Sequence, residues 1–218
     1  MPNPEIAYER LLRQRIEGKG LENPAQVVRW MGAIQAQDYA GGKWAVGLRC
    51  FRCTDDDLEE AFSKGEILRT HIMRPTWHFV APEDIRWMQS LTAPRVNAIN
   101  AFYYRRLELD RALFKRSNAS LNKALRGGKQ LTRAELRAVL EDAGIATRDL
   151  RLTFLMLRAE LDAVICSGGR RGKQFTYALV DERAPQAKDL NRQEALAELT
   201  ERYSPVSCRI SNVFLSLW

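Results

Sequence analysis

The fold is decided by residues 131–180, LTRAELRAVLEDAGIATRDLRLTFLMLRAELDAVICSGGRRGKQFTYALV. Thr132 and Glu135 form a capping box ahead of Leu136, Val139 and Leu140, which share one helical face, and Gly144 supplies the stop. A second helical period follows through Phe154, Leu157 and Leu161. Two β-rich runs then bracket a turn containing Gly168, Gly169 and Gly172. Upstream, Leu121, Ala124 and Leu125 end at Gly127 and Gly128, so another helix precedes the pair. Helix, turn, helix and a basic-tipped hairpin is the order of a winged helix.

The same order can be read earlier in the chain. Tyr8, Leu11, Leu12 and Ile16 keep helical spacing until Gly18 and Gly20. Pro24 opens a second helix whose face carries Val27, Val28, Met31 and Ile34, predicted to end near Gln35 and before Gly41 and Gly42. Thr54 and Asp57 cap a third, with Leu58, Ala61 and Phe62 inward and Gly65 as terminator. ILRTHIMRPTWHFV, residues 67–80, then reads as a hairpin around Arg74 and Pro75. Pro82 and Pro94 each mark an expected helix start, and residues 85–107 a helical connector. Ala195, Leu196, Leu199 and Tyr203 begin one more helix, after which 15 residues are too few for a further module. The predicted class is therefore mainly α with small β-hairpins (α+β), built as tandem winged-helix modules. The expected division is 1–95, 96–182 and 183–218, the last being the start of an incomplete third module.

Composition restricts the function. With 45% hydrophobic and 28% charged residues, the 218-residue chain is that of a globular protein. No apolar run approaches the roughly 18 residues of a membrane span, and MPNPEIAYER is no signal peptide, so a cytoplasmic protein without membrane partners is expected. The net charge of +7 is unevenly placed. Residues 1–100 carry 13 basic against 13 acidic side chains, residues 101–180 carry 16 against 8, and the remainder 5 against 6. The excess in the middle module is the footprint of a polyanion-binding surface, or else a solvated basic face.

In a winged helix the second helix of the helix-turn-helix enters the major groove and the wing meets the backbone. Here that helix would offer Arg148, Arg151 and Arg158, and the wing tip Arg170, Arg171, Lys173 and Gln174. Such cations bind phosphates by counterion release and carry no sequence information by themselves. A glycine-rich basic loop with no nucleic-acid role is the competing reading. Among the four cysteines, Cys50 and Cys53 form a lone C-x-x-C, while Cys166 and Cys208 stand apart. Inert thiols are expected in preference to a redox pair, and no metal site or cofactor.

Gln35, Gln37 and Asp38 lie where the second helix is expected to end. An α-helix turns about 100° per residue, so the two glutamines would diverge by about 200° if both were helical. They can act together only if the chain has left the helix by Gln37. Otherwise they are polar residues fraying into a glycine loop, with Gln35 bonding a terminal carbonyl.

RLLRQRIEG, NPAQVVRWMGAIQAQD, WAVGLRC, LEEAF and RTHIMRPTWHFV resemble the first module of the winged-helix DNA glycosylases of the AlkZ and YcaQ type. The likeness runs on through LTRAELRAVLEDAG and the wing to ALAELTERY. QAQ matches the paired-glutamine motif of that family. The resemblance implies that Gln35 and Gln37 are catalytic, that double-stranded DNA is the substrate, that the chain works as a monomer with no metal or organic cofactor, and that alkylated purines are excised or crosslinks unhooked. Trp77 and His78 could touch a lesion, or form a half-buried strand pair. Family members continue into a complete third module and a C-terminal β-rich domain, and YSPVSCRISNVFLSLW departs from the Gly-Pro turn expected after ALAELTERY. A non-catalytic winged-helix DNA-binding protein or transcriptional regulator is the alternative, although no heptad supports dimerisation. Either reading places the protein in the cytoplasm, associated with the nucleoid.

Overall fold

The computed structural model describes residues 4–206. In chain order the elements are α1 (Pro4–Arg13), α2 (Pro24–Met31), β1 (Ala33–Gln35), α3 (Tyr39–Gly47), α4 (Asp55–Lys64), β2 (Leu68–His71), β3 (Trp77–Val80), a 3-10 turn (Pro82–Asp84) and α5 (Ile85–Arg106). The chain continues through α6 (Arg111–Leu125), β4 (Leu131–Thr132), α7 (Arg133–Asp142), α8 (Arg151–Leu161), β5 (Ile165–Arg171), β6 (Gln174–Leu179), α9 (Val180–Arg183) and α10 (Arg192–Val206).

Two units share one topology. In the first, α2, β1, α3, α4, β2 and β3 follow one another, and the antiparallel sheet has the order β1-β3-β2. The second runs α6, β4, α7, α8, β5 and β6, with sheet order β4-β6-β5. Both are winged helices, each with a short strand between its first two helices. Those strands were not legible in the sequence, since two or three residues carry no measurable period.

The expected capping boxes are both present. Thr54 accepts from Asp57 N while Asp57 returns to the Thr54 N–H, and Thr132 and Glu135 do the same. Other boundaries differ from expectation. The first unit starts at α2, with Asn23 as N-cap and Pro24 in the first turn, and α1 lies outside it. Helix α2 ends at Met31 because Gly32 turns the backbone to φ 72°, and Ile34 reaches the same core as Val27 and Val28 from a strand. Helix α3 was not read from the sequence, and it runs through Gly41 and Gly42, where a glycine loop was expected. Pro94 starts no helix and sits inside the 22-residue α5. Proline there frees the carbonyl four residues earlier, and both Pro94 and Ser90 are exposed, which leaves that carbonyl open to solvent.

Among the described residues, three apolar clusters hold the chain together. Val27, Val28, Val46, Phe62 and Phe79 fill the first unit, and Leu121, Leu136, Leu155 and Ile165 the second. Helix α5 serves two clusters: Trp87, Met88 and Leu91 pack with Leu68 and Val80, while Ala93, Val96 and Tyr104 join the core of the second unit. Ala195 and Leu199 of α10 dock into the cluster of Trp87 and Met88, and Arg202 hydrogen-bonds the buried Asp84 carboxylate through two guanidinium nitrogens. The units also meet directly, as Arg69 N donates to Ser167 Oγ at 2.8 Å and Arg170 pairs with Glu59 at 2.9 Å.

Cys50 and Cys53 correct an expectation. Expected as separate inert thiols, they face each other across a turn in which Arg52 has φ 58°, with Cα atoms 5.5 Å apart, close enough to be bridged. Cys166 is a buried free thiol, pushed up to about 12 by burial. Cys208 lies outside the described residues.

Candidate active-site strand and interdomain cleft

Gln35 closes β1 and Gln37 lies in the bend between that strand and α3, so neither sits at the end of α2. Ala36 N donates to Trp77 O at 2.8 Å, carrying the ladder one residue beyond the Gln35–His78 register pair. Successive side chains of a strand point to opposite faces. Gln35 and Gln37 are accordingly both exposed while Ala36 between them is fully buried. The fraying-helix reading is thereby replaced by two exposed amides that flank the buried Ala36, Gln35 at the end of β1 and Gln37 in the bend that follows.

The segment is held from three directions. Gly42 of α3 packs against Ala36, where an added β-carbon would lie 3.0 Å from Ala36 Cβ and 3.1 Å from its Cα. Asp38 is the N-cap of α3, its carboxylate accepting from Ala40 N at 3.1 Å. Arg69, itself buried, donates to Ala36 O at 3.0 Å and to Gln37 O at 3.4 Å. Gln37 Oε1 also accepts from Trp77 N at 3.3 Å, whereas the Gln35 amide has no side-chain hydrogen bond among the described residues.

Behind this strand lies a buried polar network that links the two units. Glu160 of α8, only 1% exposed, accepts from His71 N at 2.8 Å, meets His71 Nδ1 at 2.5 Å and takes the Trp77 indole N–H at 3.3 Å. Gln89 Nε2 donates to Thr70 Oγ1 and to the Glu160 carbonyl. The Arg69 guanidinium lies 4.4 Å from the Trp77 ring centre and 4.7 Å from that of Phe175 in β6. Burial pulls Arg69 below its ordinary range, and the charge of Glu160 opposes that shift. Burial also pushes His78 down to about 4, so its ring is neutral at pH 7 with Nδ1–H donating to Thr76 O at 2.9 Å.

A cleft of about 510 Å³ opens between the units. Trp77, Leu152, Phe175 and Tyr177 supply apolar surface, and Arg69, Arg133, Arg137 and Lys173 line it with positive charge. Neither glutamine lines this cleft. Among the described residues, no group of three or more His, Cys, Asp and Glu is placed to hold a metal. No helix among them is long and apolar enough to cross a membrane.

Over residues 28–204 the sequence matches the AlkZ-like DNA glycosylase family. The chain belongs to this family. Its fold superposes on the Streptomyces sahachiroi DNA glycosylase AlkZ with a TM-score of 0.73 at 20% identity, covering 90% of this chain and 55% of that one. The chain thus spans about half the length of that relative. No curated protein sequence matches it. The region shared with the AlkZ-like family contains both sheets, the glutamine segment and the cleft, and leaves α1 outside.

The cationic positions singled out in the sequence fall into two groups. Arg148, Lys173 and Gln174 are exposed with no side-chain partner among the described residues. The others are engaged within the chain. Arg151 donates to Ala146 O and Leu107 O, Arg158 pairs with Asp162 at 2.8 Å, Arg170 with Glu59, and Arg171 with Glu135 at 2.9 Å. Helix α8 is buried along most of its length, from Leu152 to Leu161, and presents no open cationic face. Trp77 borders the cleft, and His78 is buried beside it in β3. The sequence reading missed Arg133 and Arg137. Their i, i+4 spacing after the Thr132 cap was the available signal.

Proposed function

We propose that this chain binds double-stranded DNA and hydrolyses the N-glycosidic bond of purines alkylated on a ring nitrogen, with Gln35 and Gln37 as the catalytic residues. The observation that carries the proposal is the exposure of both amides on either side of the buried Ala36, on a segment anchored by Gly42 and Arg69. Membership of the AlkZ-like DNA glycosylase family supports it.

An amide is too weak a base to abstract a proton from water outright. A ring-alkylated purine, however, is already cationic and departs as a neutral base without being protonated. The enzyme then has to stabilise positive charge on the sugar and place a water near C1′, which is electrostatics and positioning. Gln35, with its amide oxygen free, offers a dipole to the oxocarbenium-like sugar. Gln37 shares one oxygen lone pair with Trp77 N–H and keeps the other to accept from a water. Water adds to C1′ as the C1′–N bond breaks, and the proton it loses passes to solvent. No cofactor takes part.

In the same reading the chain acts as a monomer, because both glutamines and the cationic cleft come from one copy. It resides in the cytoplasm with the nucleoid, and α10 begins a third unit docked on the first. The lesions that suit two open amides are bulky alkylated purines or crosslinks, whose weakened glycosidic bonds lower the need for complete base extrusion.

The test is base release from duplex DNA methylated at purine ring nitrogens. The native protein leaves alkali-labile abasic sites, and the double variant Gln35→Ala, Gln37→Ala loses them by about 100-fold or more. The exposed cations Arg148 and Lys173 fit a second reading too, DNA binding without chemistry. It predicts salt-dependent binding with intact alkylated bases.

A further inference from the structure

We propose that the cleft between the two winged helices holds one unstacked nucleotide of a DNA strand, its base against Trp77, Leu152 and Phe175 and its flanking phosphates at Arg137 and Lys173. The proposal rests on DNA being the substrate, and it adds a second contact site apart from the glutamines.

Three observations point there. The cleft volume of about 510 Å³ falls within the roughly 300–1,000 Å³ of small-ligand sites, which is ample for a base and sugar. Its lining contains no carboxylate. The cations are also uncompensated where they reach solvent: Arg137 and Lys173 are exposed and have no acidic partner among the described residues, in contrast to Arg170 and Arg171 nearby. An aromatic-lined hollow beside free cations is the combination that single-stranded nucleic acid uses, since every base has an apolar face and every phosphate a charge. A purely electrostatic DNA surface would not need an apolar floor.

The location gives the contact a purpose. Trp77 and Arg69 border the cleft and also touch the glutamine segment, through Trp77 N to Gln37 Oε1 and Arg69 to the Ala36 and Gln37 carbonyls. Because neither glutamine lines the cleft, the nucleotide held there is a neighbour of the one whose glycosidic bond faces them. Withdrawing a neighbour from the stack opens the duplex beside the lesion, at a cost that is lowest where damage has already weakened pairing.

The experiment compares two labelled probes by fluorescence anisotropy: a short oligothymidylate and an abasic oligomer of equal length and charge. The base-containing probe is expected to bind about tenfold more tightly. In the variant Arg137→Ala, Lys173→Ala, whose replaced side chains are exposed, the log-log salt slope for oligothymidylate falls by about 1.4, at about 0.7 per phosphate. Equal affinity for the two probes, or an unchanged slope in the variant, overturns the proposal. Base release from alkylated duplex is assayed on the same preparation. Release without a preference for the base-containing probe removes the cleft proposal alone, and preference without release removes the glycosylase reading alone.

Discussion

Gly42 and Ala36 are in such close contact that helix α3 lies directly on the backbone between the two glutamines. A β-carbon at residue 42 would come within 2.9 Å of Phe79 Cε2 as well as 3.0 Å of Ala36 Cβ. The variant Gly42→Ala is therefore expected to lose about 1–3 kcal/mol by overpacking, despite the better helix propensity of alanine. Base release should fall with it, because Ala36 must shift and its flanking amides move too. Thermal melting and single-turnover rates measure the two effects. A fully active, more stable Gly42→Ala would show that the contact has no such role.

Arg69 is the donor that fixes the carbonyls of that segment. Arg69→Lys keeps a charge but loses the planar fork that reaches Ala36 O and Gln37 O together, so it is not a conservative change. The single-turnover rate is expected to drop about tenfold or more while duplex affinity stays close to native, since Arg69 is buried and the loss is one of positioning. Arg69→Met, which leaves the Ala36 and Gln37 carbonyls without this donor, should in addition cost about 1–3 kcal/mol in urea denaturation.

His78 sets a pH dependence. Burial lowers its folded pKa from the ordinary 6.5 to about 4, so the unfolded chain binds a proton at higher pH than the folded one. Stability is then complete above pH 6.5 and is lost as the pH falls from there to about 4, by about 3 kcal/mol at the end of the window. Carboxylates titrate in the lower part of this range, so the informative quantity is a difference. His78→Gln should flatten the decline relative to the native protein in urea titrations at stepwise pH, and equal slopes would count against the assignment.

Arg148 and Arg151 stand three residues apart and behave differently. Arg151 holds two backbone carbonyls, Ala146 O and Leu107 O, and its replacement by alanine should cost about 1–3 kcal/mol with little change in DNA binding. Arg148 is exposed. Arg148→Ala should leave stability within about 0.5 kcal/mol and reduce the duplex salt slope by about 0.9, the loss of one phosphate contact. Melting curves and salt titrations on the pair separate the two roles.

The sequence by itself determined the local architecture and the family. Thr54 with Asp57 and Thr132 with Glu135 announced two helix starts, because a capping box is a contact between residues three apart. The two hairpins were readable from runs of β-rich residues around a turn, and QAQ from its resemblance. Only the tertiary structure decided that those glutamines lie at a strand end and in the bend after it. Strand β1 is three residues long, and its strand character comes from pairing with β3, more than forty residues away in the chain. Helix α3 tolerates Gly42 because Ala36 and Phe79 leave no room for a β-carbon, a reason invisible in helix propensities. Glu160 meets His71 across 89 residues, and the cleft takes Trp77 from one unit and Lys173 from the other. Local capping and periodicity are encoded between near neighbours, whereas the glutamine face, the buried network and the cleft depend on contacts that form only when the two winged helices pack together.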